Sequence, residues 1–518
     1  MNLQIHTDQG ISTCQAREDR SLSDSLQTMG IRLNLRCGGN GRCGRCKIVL
    51  INGDFFVNGK MVSLQADETL TVNSCNCFPV GEMGEIIVPA SSLAQSNSIV
   101  EVNFSPLPDL TGGPGGLAVA VDIGTTTAAA LLIDNGKIVA TAGMLNQQCH
   151  FGDNVIDRIT ACRNLPDGQL KLHRAIIEET INPLLAQLVP YPNQISRMAV
   201  AANTVMTHLF YNESPISIGV SPFTPKFRKF PQVTASSLGV AINPKGEIIA
   251  SPAISGNVGG DITSGLIATN FGALGGTELL VDLGTNCEIV LSHCGKVWAT
   301  SAAAGSAFEG GKLSSGCFAA PGVIEHLSLS VNGKLDLQIT GNEEPAGLCG
   351  SALIDFLAEG RKAGAIDEHG RLELGVLRRW GRLVTSKGEN GFRIAKNIII
   401  TESDIEELSK AKAAVAAGIT SLLRHAGAKV DDIQKIYLCG GFARNLNINS
   451  AQAIGMLPKL MKSIFQICGN TSLAGAAILA ARPDRIAEYE KWLEIICDLP
   501  LNLLEDFEQE YIDNLILP

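Results

Sequence analysis

Four cysteines in the first part of the chain have a spacing that suits metal binding. Five residues separate Cys37 from Cys43, and two separate Cys43 from Cys46. Cys75 follows after 28 more residues. Plant-type [2Fe–2S] proteins use three closely spaced cysteines and one distant cysteine, usually with C-x4-C-x2-C as the local spacing. The glycines of CGGNGRCGRC allow a loop to wrap a cluster with its amides toward sulfur, so we predict a [2Fe–2S] site here.

A zinc site is the alternative interpretation, because C-x-x-C is also half of many zinc sites. Zinc usually pairs two such units, whereas the later string NSCNC contains C-x-C, which fits zinc poorly. That string also offers two candidates for the fourth ligand. We expect Cys75 to be the ligand and keep Cys77 as the alternative.

Two similar turns farther along the chain place acidic and hydroxyl side chains directly after apolar strands. Amides in such turns bind phosphate, and a carboxylate beside them suits Mg²⁺, usually through water. We therefore expect ATP and Mg²⁺ between the turns, with Asp122 and Asp282 as catalytic residues. The residues expected to face the nucleotide are Gly124, Thr125 and Thr126 in the first turn, and Gly284, Thr285 and Asn286 in the second.

A third turn lies in IYLCGGFARN, where a strand runs into Gly440 and Gly441. Two glycines at this point allow a flat adenine or a ribose to approach the backbone. The two Asp-x-Gly-Thr turns and this late Gly-Gly turn together predict an ATP-binding cleft. A degenerate cleft that binds nothing, or that binds without hydrolysis, is the alternative.

The elements that position these turns form a repeat. The strand, turn, strand pattern of LAVAVDIGTTTAAALLID returns as LLVDLGTNCEIVLSH about 160 residues later. Two similar halves predict a duplicated α/β fold with a cleft between them. We expect helices near 169–189, 403–426 and 471–481.

The chain composition changes near residue 100, where a small α+β unit rich in cysteine ends. The string SPLPDLTGGPGG then predicts a linker by its proline and glycine content. The predicted organisation is a cysteine-rich domain at 1–100, a linker at 101–116, and the two halves of the repeat at 117–277 and 278–518.

Composition and charge exclude several classes of protein. The 518 residues are 45% apolar and 18% charged, which is enough for packed cores and too apolar for global disorder. The net charge of -10 argues against nucleic acid and anionic membranes as partners. No stretch of 18 apolar residues and no signal peptide is found, so we expect a cytoplasmic protein.

The three nucleotide turns resemble those of the acetate/sugar kinase, heat-shock ATPase and actin superfamily. Together with the cysteine loop, they resemble more narrowly the reductive activators of corrinoid proteins. The resemblance covers nearly the whole chain, and it implies an actin-like ATPase fold preceded by a ferredoxin-like [2Fe–2S] domain. The strings that support it are VDIGTTT, NQQCHFGDNVIDRI, NTVMTHL, SPFTP, VGGDI, VDLGTNCEIV, SAAAGSAFEGG, GLCGSALID and LCGGFARN.

This resemblance implies a function. An activator of this kind takes one electron from a low-potential donor onto its cluster and reduces a corrinoid protein from Co(II) to Co(I), with ATP hydrolysis. The acceptor serves a corrinoid methyltransferase or O-demethylase system. Plant-type clusters lie near about −400 mV, and the Co(II)/Co(I) couple is expected to be lower, so the transfer runs uphill.

The resemblance also implies site residues. The four cysteines match the cluster ligands, and the three turns match the nucleotide site. The loop SAAAGSAFEGG lacks bulky side chains, so Ser301 could bring a hydroxyl near the partner's cobalt; a packed turn is the alternative. A homodimer is possible.

Three other functions remain open. The first is an ATP-driven electron donor of the dehydratase-activator type, whose cluster is held by few cysteines between two subunits. The second is a small-molecule kinase whose cluster takes no part in the reaction. The third is a redox-sensing scaffold that shows no ATP turnover.

Overall fold

The computed structural model describes residues 1–518 except 9, 32, 34–45, 66–67, 90–91, 93–99, 153, 309–312, 318–319 and 387. The predicted ligands Cys37 and Cys43 lie outside the described residues. Contacts divide the chain into two compact units, which we call the N-terminal unit and the ATPase unit. These comprise Met1–Asn97 with Leu145–Ile176, and Ser98–Met144 with Ile177–Pro518.

The N-terminal unit contains a six-stranded sheet. Its core is formed by alternating residues such as Leu3 and Ile5, which are fully buried. A short helix follows at Leu22–Thr28, and a capping box between Ser21 and Asp24 fixes its start. The strands, in spatial order, are Gly10–Gln15, Asn2–Thr7, Cys77–Ile87, Lys47–Val57 and Lys60–Leu64, with Leu70–Asn73 also paired to Lys47–Val57. Helices Val155–Asn164 and Gly168–Ile176 complete the unit.

The ATPase unit is built on two large sheets of six strands each. The first has the order Val233–Thr234, Glu247–Ala250, Arg197–Ala202, Leu117–Ile123, Thr127–Asp134 and Lys137–Leu145. The second has the order Phe465–Gly469, Ile433–Cys439, Thr277–Leu283, Cys287–His293, Lys296–Ala302 and Ile496–Asp498. Two three-stranded sheets are formed by Leu335–Ile339, Val323–Leu329 and Gly347–Leu348, and by Leu383–Ser386, Glu389–Ala395 and Ile398–Thr401.

The two large sheets repeat one pattern of pairing, as the sequence repeat predicts. In the first, Leu117–Ile123 pairs antiparallel with the next strand and parallel with Arg197–Ala202. In the second, Thr277–Leu283 pairs antiparallel with the next strand and parallel with Ile433–Cys439. Each Asp-x-Gly-Thr turn therefore follows a strand in the middle of its sheet.

Helices flank the sheets of the ATPase unit. The helices expected near 403–426 and 471–481 are present in it, whereas the one expected near 169–189 is divided into Gly168–Ile176 of the N-terminal unit, the π-helix Ile177–Ile181 and the helix Asn182–Leu188. The helix Glu402–Ala426 has a capping box at Thr401 and ends at Gly427, whose φ is 69°. The other α-helices are Asn182–Leu188, Thr204–Phe210, Ala235–Leu238, Gly260–Ala268, Gly350–Lys362, Leu374–Arg379, Ile448–Ala453, Thr471–Ala481, Ile486–Ile495 and Phe507–Asp513.

The helix Thr471–Ala481 is buried along its whole length. Its residues Leu473 and Ala477 pack in one apolar cluster with Ala120 and Leu131 of the first large sheet. A late segment of the chain thus covers a sheet that forms early in the sequence.

The segment 101–116, whose composition predicts a linker, is instead packed within the ATPase unit. Leu110 is 5% exposed and belongs to the same apolar cluster as the helix Thr471–Ala481. Arg197 donates a hydrogen bond from Nη2 to the carbonyl of Gly115 (2.8 Å), and Arg482 donates to the carbonyl of Thr111 (3.3 Å). Proline and glycine fix the turns of this segment, and its few apolar side chains attach it.

Candidate functional site

Two of the four predicted cluster ligands are described, and their sulfurs lie together. The Sγ atoms of Cys46 and Cys75 are 3.4 Å apart, and both side chains are buried. Cys46 precedes the strand Lys47–Val57, while Cys75 lies in the short 3-10 turn Ser74–Asn76. The amide of Ser74 donates to the carbonyl of Cys46 (2.9 Å), which holds the two segments in register.

This pair fits one iron of a cluster. Metal–sulfur bonds of about 2.3 Å in a tetrahedron separate two thiolates by roughly 3.8 Å, close to the separation of the pair. The hydroxyl of Ser74 is buried without a hydrogen-bond partner among the described residues, so it can serve a cluster sulfur. Cys77 begins the strand Cys77–Ile87, and burial raises the pKa of its thiol to about 12. The distance between the sulfurs of Cys46 and Cys75 suits the prediction that Cys75 is the fourth ligand.

A cavity of about 550 Å³ opens in the ATPase unit. Every nucleotide-site residue predicted from the three turns lines it, so the fold brings together segments more than 300 residues apart in the chain. These residues are Asp122, Gly124, Thr125, Thr126, Asp282, Gly284, Thr285, Asn286, Gly440 and Gly441.

Asp122 is held by two side chains at the start of the helix Thr471–Ala481. The hydroxyl of Ser472 donates to Oδ1 (2.7 Å), and Nδ2 of Asn470 donates to Oδ2 (2.9 Å). Burial raises the pKa of Asp122, and these two hydrogen bonds partly oppose the shift. Both oxygens of the carboxylate are thus oriented.

Five further acidic side chains line the cavity with Asp122, and burial raises the pKa of three of them. Burial, with the charges of Asp261 and Asp122, raises the pKa of Asp282 to about 8. Burial and the charge of Asp122 raise the pKa of Asp261 to about 7. Burial likewise raises the pKa of Glu288 well above its ordinary value. A cavity that concentrates carboxylates in this way favours a cation.

The late Gly-Gly turn lies against the second Asp-x-Gly-Thr turn. Gly440 has a φ of 89°, and a Cβ atom there would lie 2.7 Å from Oδ1 of Asp282. Only glycine fits this combination of conformation and close approach. Beside the turn, the rings of Phe308 and Phe442 stack with centroids 5.2 Å apart and line the cavity.

Ser301, the predicted partner contact, does not line the cavity. It pairs with Glu288 across neighbouring strands, and its hydroxyl donates to Oε1 of Glu288 at 3.1 Å.

In the first turn, Thr125 accepts a hydrogen bond from Nδ2 of Asn203 (3.1 Å).

Several residues of the cavity do not follow from the motifs. Asn470, Ser472, Asn203 and Glu288 lie outside the three turns, and no spacing rule connects them with Asp122. The only available signal was an Asn directly before a helix, which predicts an N-cap and not a contact with Asp122. Within the described part of the chain, no three His, Cys, Asp or Glu side chains form a metal-binding group.

Comparison with known proteins gives the family. The 2Fe-2S iron–sulfur cluster binding domain matches residues 6–80. The RACo middle region matches residues 117–273, and the C-terminal domain of RACo, the ASKHA domain, matches residues 276–518. The chain belongs to the RACo family. The RACo match thereby confirms the predicted fold class, with a 2Fe-2S domain before an actin-like ATPase domain.

Two relatives of this chain have names that describe an activity on corrinoid proteins. RamQ of Eubacterium limosum, a corrinoid activation enzyme, is 27% identical over 89% of this chain and 90% of its own length. The [Co(II) methylated amine-specific corrinoid protein] reductase of Methanosarcina barkeri is 28% identical over 71% of this chain and 70% of its own.

A solved RACo-type structure is similar over the whole chain. It is a reductive activator for a corrinoid, iron–sulfur protein, and it matches with a TM-score of 0.74 and 29% identity over 100% of this chain and 98% of the other. The family domains support a [2Fe–2S] cluster and ATP binding. None of the helices formed by the described residues has the length and apolar character needed to span a bilayer.

Proposed function

We propose that this protein is an ATP-dependent reductase that returns the cobalt of a corrinoid protein from Co(II) to Co(I), in the service of a corrinoid methyltransferase or O-demethylase. One observation carries the proposal: a single chain combines the paired sulfurs of Cys46 and Cys75 with a cavity built from two Asp-x-Gly-Thr turns. The names of the relatives support the choice of acceptor.

The four cysteines Cys37, Cys43, Cys46 and Cys75 would hold the cluster. The [2Fe–2S] cluster supplies a site that accepts one electron from an unknown low-potential donor and releases it to cobalt. With the cluster bound, the buried hydroxyl of Ser74 would be available to donate a hydrogen bond to a cluster sulfur, which would stabilise the reduced state. The reduced thiols that this site needs fit a cytoplasmic location.

Asp122 and Asp282 act on ATP from two different turns. Asp122, fixed by Ser472 and Asn470, suits a carboxylate that meets Mg²⁺ through water. Mg²⁺ neutralises phosphate charge when it is bound with ATP. Asp282, which lines the cavity from the second turn, is the proposed general base that accepts the proton of the attacking water. ATP and water thus become ADP and phosphate.

Ser301 is the proposed contact with the corrinoid protein. Its hydroxyl donates to Glu288, which lines the nucleotide cavity, and its oxygen can still accept a hydrogen bond from a partner. This arrangement joins the predicted partner residue to the ATP site by one hydrogen bond. A homodimer stays a prediction from the sequence.

The deciding experiment follows the cobalt spectrum of a Co(II) corrinoid protein mixed, without oxygen, with the pre-reduced protein. We expect Co(I) to appear only with Mg-ATP. Asp282→Asn is the matched variant: it should keep the cluster absorbance and lose the ATP-dependent formation of Co(I). Absence of Co(I) with an intact cluster and several corrinoid proteins would favour the dehydratase-activator type or a kinase.

A further inference from the structure

The segment that enters the ATPase unit from the N-terminal side also forms part of the nucleotide cavity. Val100 and Glu101 line this cavity, although they precede both Asp-x-Gly-Thr turns. The amide of Ser105 donates to the carbonyl of Cys468 (2.9 Å), and the amide of Asn470 donates to the carbonyl of Asn103 (3.0 Å). These bonds attach the segment as an added edge beside the strand Phe465–Gly469.

The ATPase unit has a close-fitting surface for this segment. Gly469 has a φ of 69°, and a Cβ atom there would lie 2.4 Å from the carbonyl oxygen of Asn103. At Gly441 a Cβ atom would lie 3.1 Å from Cβ of Glu101, so the side chain of Glu101 starts directly beside the late Gly-Gly turn. Val100 and Glu101 are therefore part of the cavity wall, and residues 103–105 attach them to the ATPase unit.

The carboxylate of Glu101 is oriented but keeps acceptor capacity. Arg444 donates from Nη1 to Oε1 (2.8 Å) and Oε2 (3.0 Å), and the amide of Asn103 donates to Oε1 (2.7 Å). A carboxylate offers about four acceptor positions, so Oε2 can accept at least one more hydrogen bond. The side chain is 17% exposed, and it lines the cavity.

We propose that Glu101 is a nucleotide-binding residue that accepts hydrogen bonds from the ribose hydroxyls of ATP. The inference rests on the proposed function, because it needs ATP in this cavity. A carboxylate repels phosphates, which suit the amides of the Asp-x-Gly-Thr turns, whereas it is the usual acceptor for a ribose diol. Arg444 compensates the negative charge of Glu101, so no cation is needed there.

The same segment is joined to the phosphate side of the cavity. Nδ2 of Asn470 donates both to the backbone carbonyl of Glu101 (3.1 Å) and to Oδ2 of Asp122 (2.9 Å). The side chain of Asn470 therefore contacts both Glu101, the proposed ribose-binding residue, and Asp122, which acts on the phosphates. Ribose binding at Glu101 would thus help to hold Asn470, the residue that orients Asp122.

The test is the affinity of the full-length protein for ATP, 2′-deoxy-ATP and 3′-deoxy-ATP, measured by calorimetry. Because hydrogen bonds to charged groups are strong, we expect ATP to bind wild type about tenfold more tightly than at least one deoxy analogue. Glu101→Gln and Glu101→Ala should weaken ATP to the affinity of that analogue and leave the analogue within about twofold. Glu490→Ala, which removes a surface ion pair with Lys229, is the matched control and should change nothing.

The outcomes separate this inference from the proposed function. Equal affinity of wild type for all three nucleotides, or unchanged discrimination in both Glu101 variants, overturns the role of Glu101 and leaves ATP binding in place. Failure of wild type to bind ATP overturns both. Equal affinity of wild type for the three nucleotides would overturn the inference even if a variant does not fold, and the two Glu101 variants assign any preference to this residue.

Discussion

Asp122 owes its orientation to side chains that follow it by about 350 residues in the chain. Ser472→Ala removes the donor to Oδ1 and leaves a buried oxygen of Asp122 unpaired. We expect the kcat of ATP hydrolysis to fall about tenfold with KM nearly unchanged, because loss of an orienting contact affects the reaction more than binding. Steady-state ATPase assays check this.

Ser450→Ala is the matched control for that variant. Ser450 is also a buried serine whose hydroxyl donates to a buried aspartate, Oδ1 of Asp355 (2.6 Å). Asp355, however, does not belong to the nucleotide turns. Ser450→Ala should lower stability by about 1–3 kcal/mol and leave kcat unchanged. Equal kcat values for the two variants would contradict the assigned role of Ser472. Ser472→Thr keeps a hydroxyl, so it should retain part of the ATPase activity that Ser472→Ala loses.

The acidic cavity should also impose a pH dependence on stability. Asp282 has a folded pKa of about 8 against an ordinary value of 3.8, so the folded protein holds its proton more tightly than the unfolded chain. This contribution to stability is present at low pH and is lost as pH rises through about 8.

Asp282→Asn mimics the protonated side chain at every pH. We therefore expect it to raise the free energy of unfolding of the nucleotide-free protein more at pH 8 than at pH 5, by an amount on the order of 2 kcal/mol. Denaturation curves at the two values measure the difference. A stabilisation that does not change with pH would show that Asp282 titrates normally.

Site residues whose neighbours in sequence define a turn could be predicted, whereas those whose partners lie far away in sequence could not. Asp122, Asp282 and Gly440 were predicted because each lies in a short string whose neighbouring letters define a turn. Ser472 and Glu101 were not, since their roles arise only when the fold brings distant segments to one cavity. Cys75 was predicted as the fourth ligand with Cys77 as the alternative, and it stays a prediction that the short distance between the sulfurs of Cys75 and Cys46 supports.

At the scale of elements, the segment 101–116 gives the clearest contrast between composition and structure. Leu110 is 5% exposed within an apolar cluster, whereas Leu107 in the same segment is 77% exposed. Leu110→Ala should lower the free energy of unfolding of the ATPase unit by about 2–4 kcal/mol, because it leaves a cavity in a packed core. Leu107→Ala is the control and should have almost no effect, and denaturation monitored in the full-length protein compares them.

Equal, small effects of the two leucine variants would restore the interpretation of this segment as a linker. The strands and long helices were predicted because their apolar periodicity is local. Burial of a Pro/Gly-rich segment has no such local pattern, since it depends on the surface that the segment meets, here the helix Thr471–Ala481.

At the scale of the whole molecule, the two chemistries lie in separate units and should be separable by mutation. Cys75→Ala should abolish the visible absorbance of the [2Fe–2S] cluster while ATP affinity stays within about twofold of wild type, because the cavity lies in the ATPase unit. Cys77→Ala is the matched control, two residues away and equally part of the buried core, and it should retain the cluster. Loss of the cluster in Cys77→Ala alone would assign the fourth ligand to Cys77.

The burial of the helix Thr471–Ala481 against the first large sheet has a consequence for synthesis on the ribosome. The strands that contain Ala120 and Leu131 leave the exit tunnel more than 300 residues before the helix that covers them. Throughout that interval their apolar face lacks its native cover, and Asp122 lacks Ser472. The nascent chain therefore needs protection from aggregation, and it gains a complete ATP site only when translation is nearly finished.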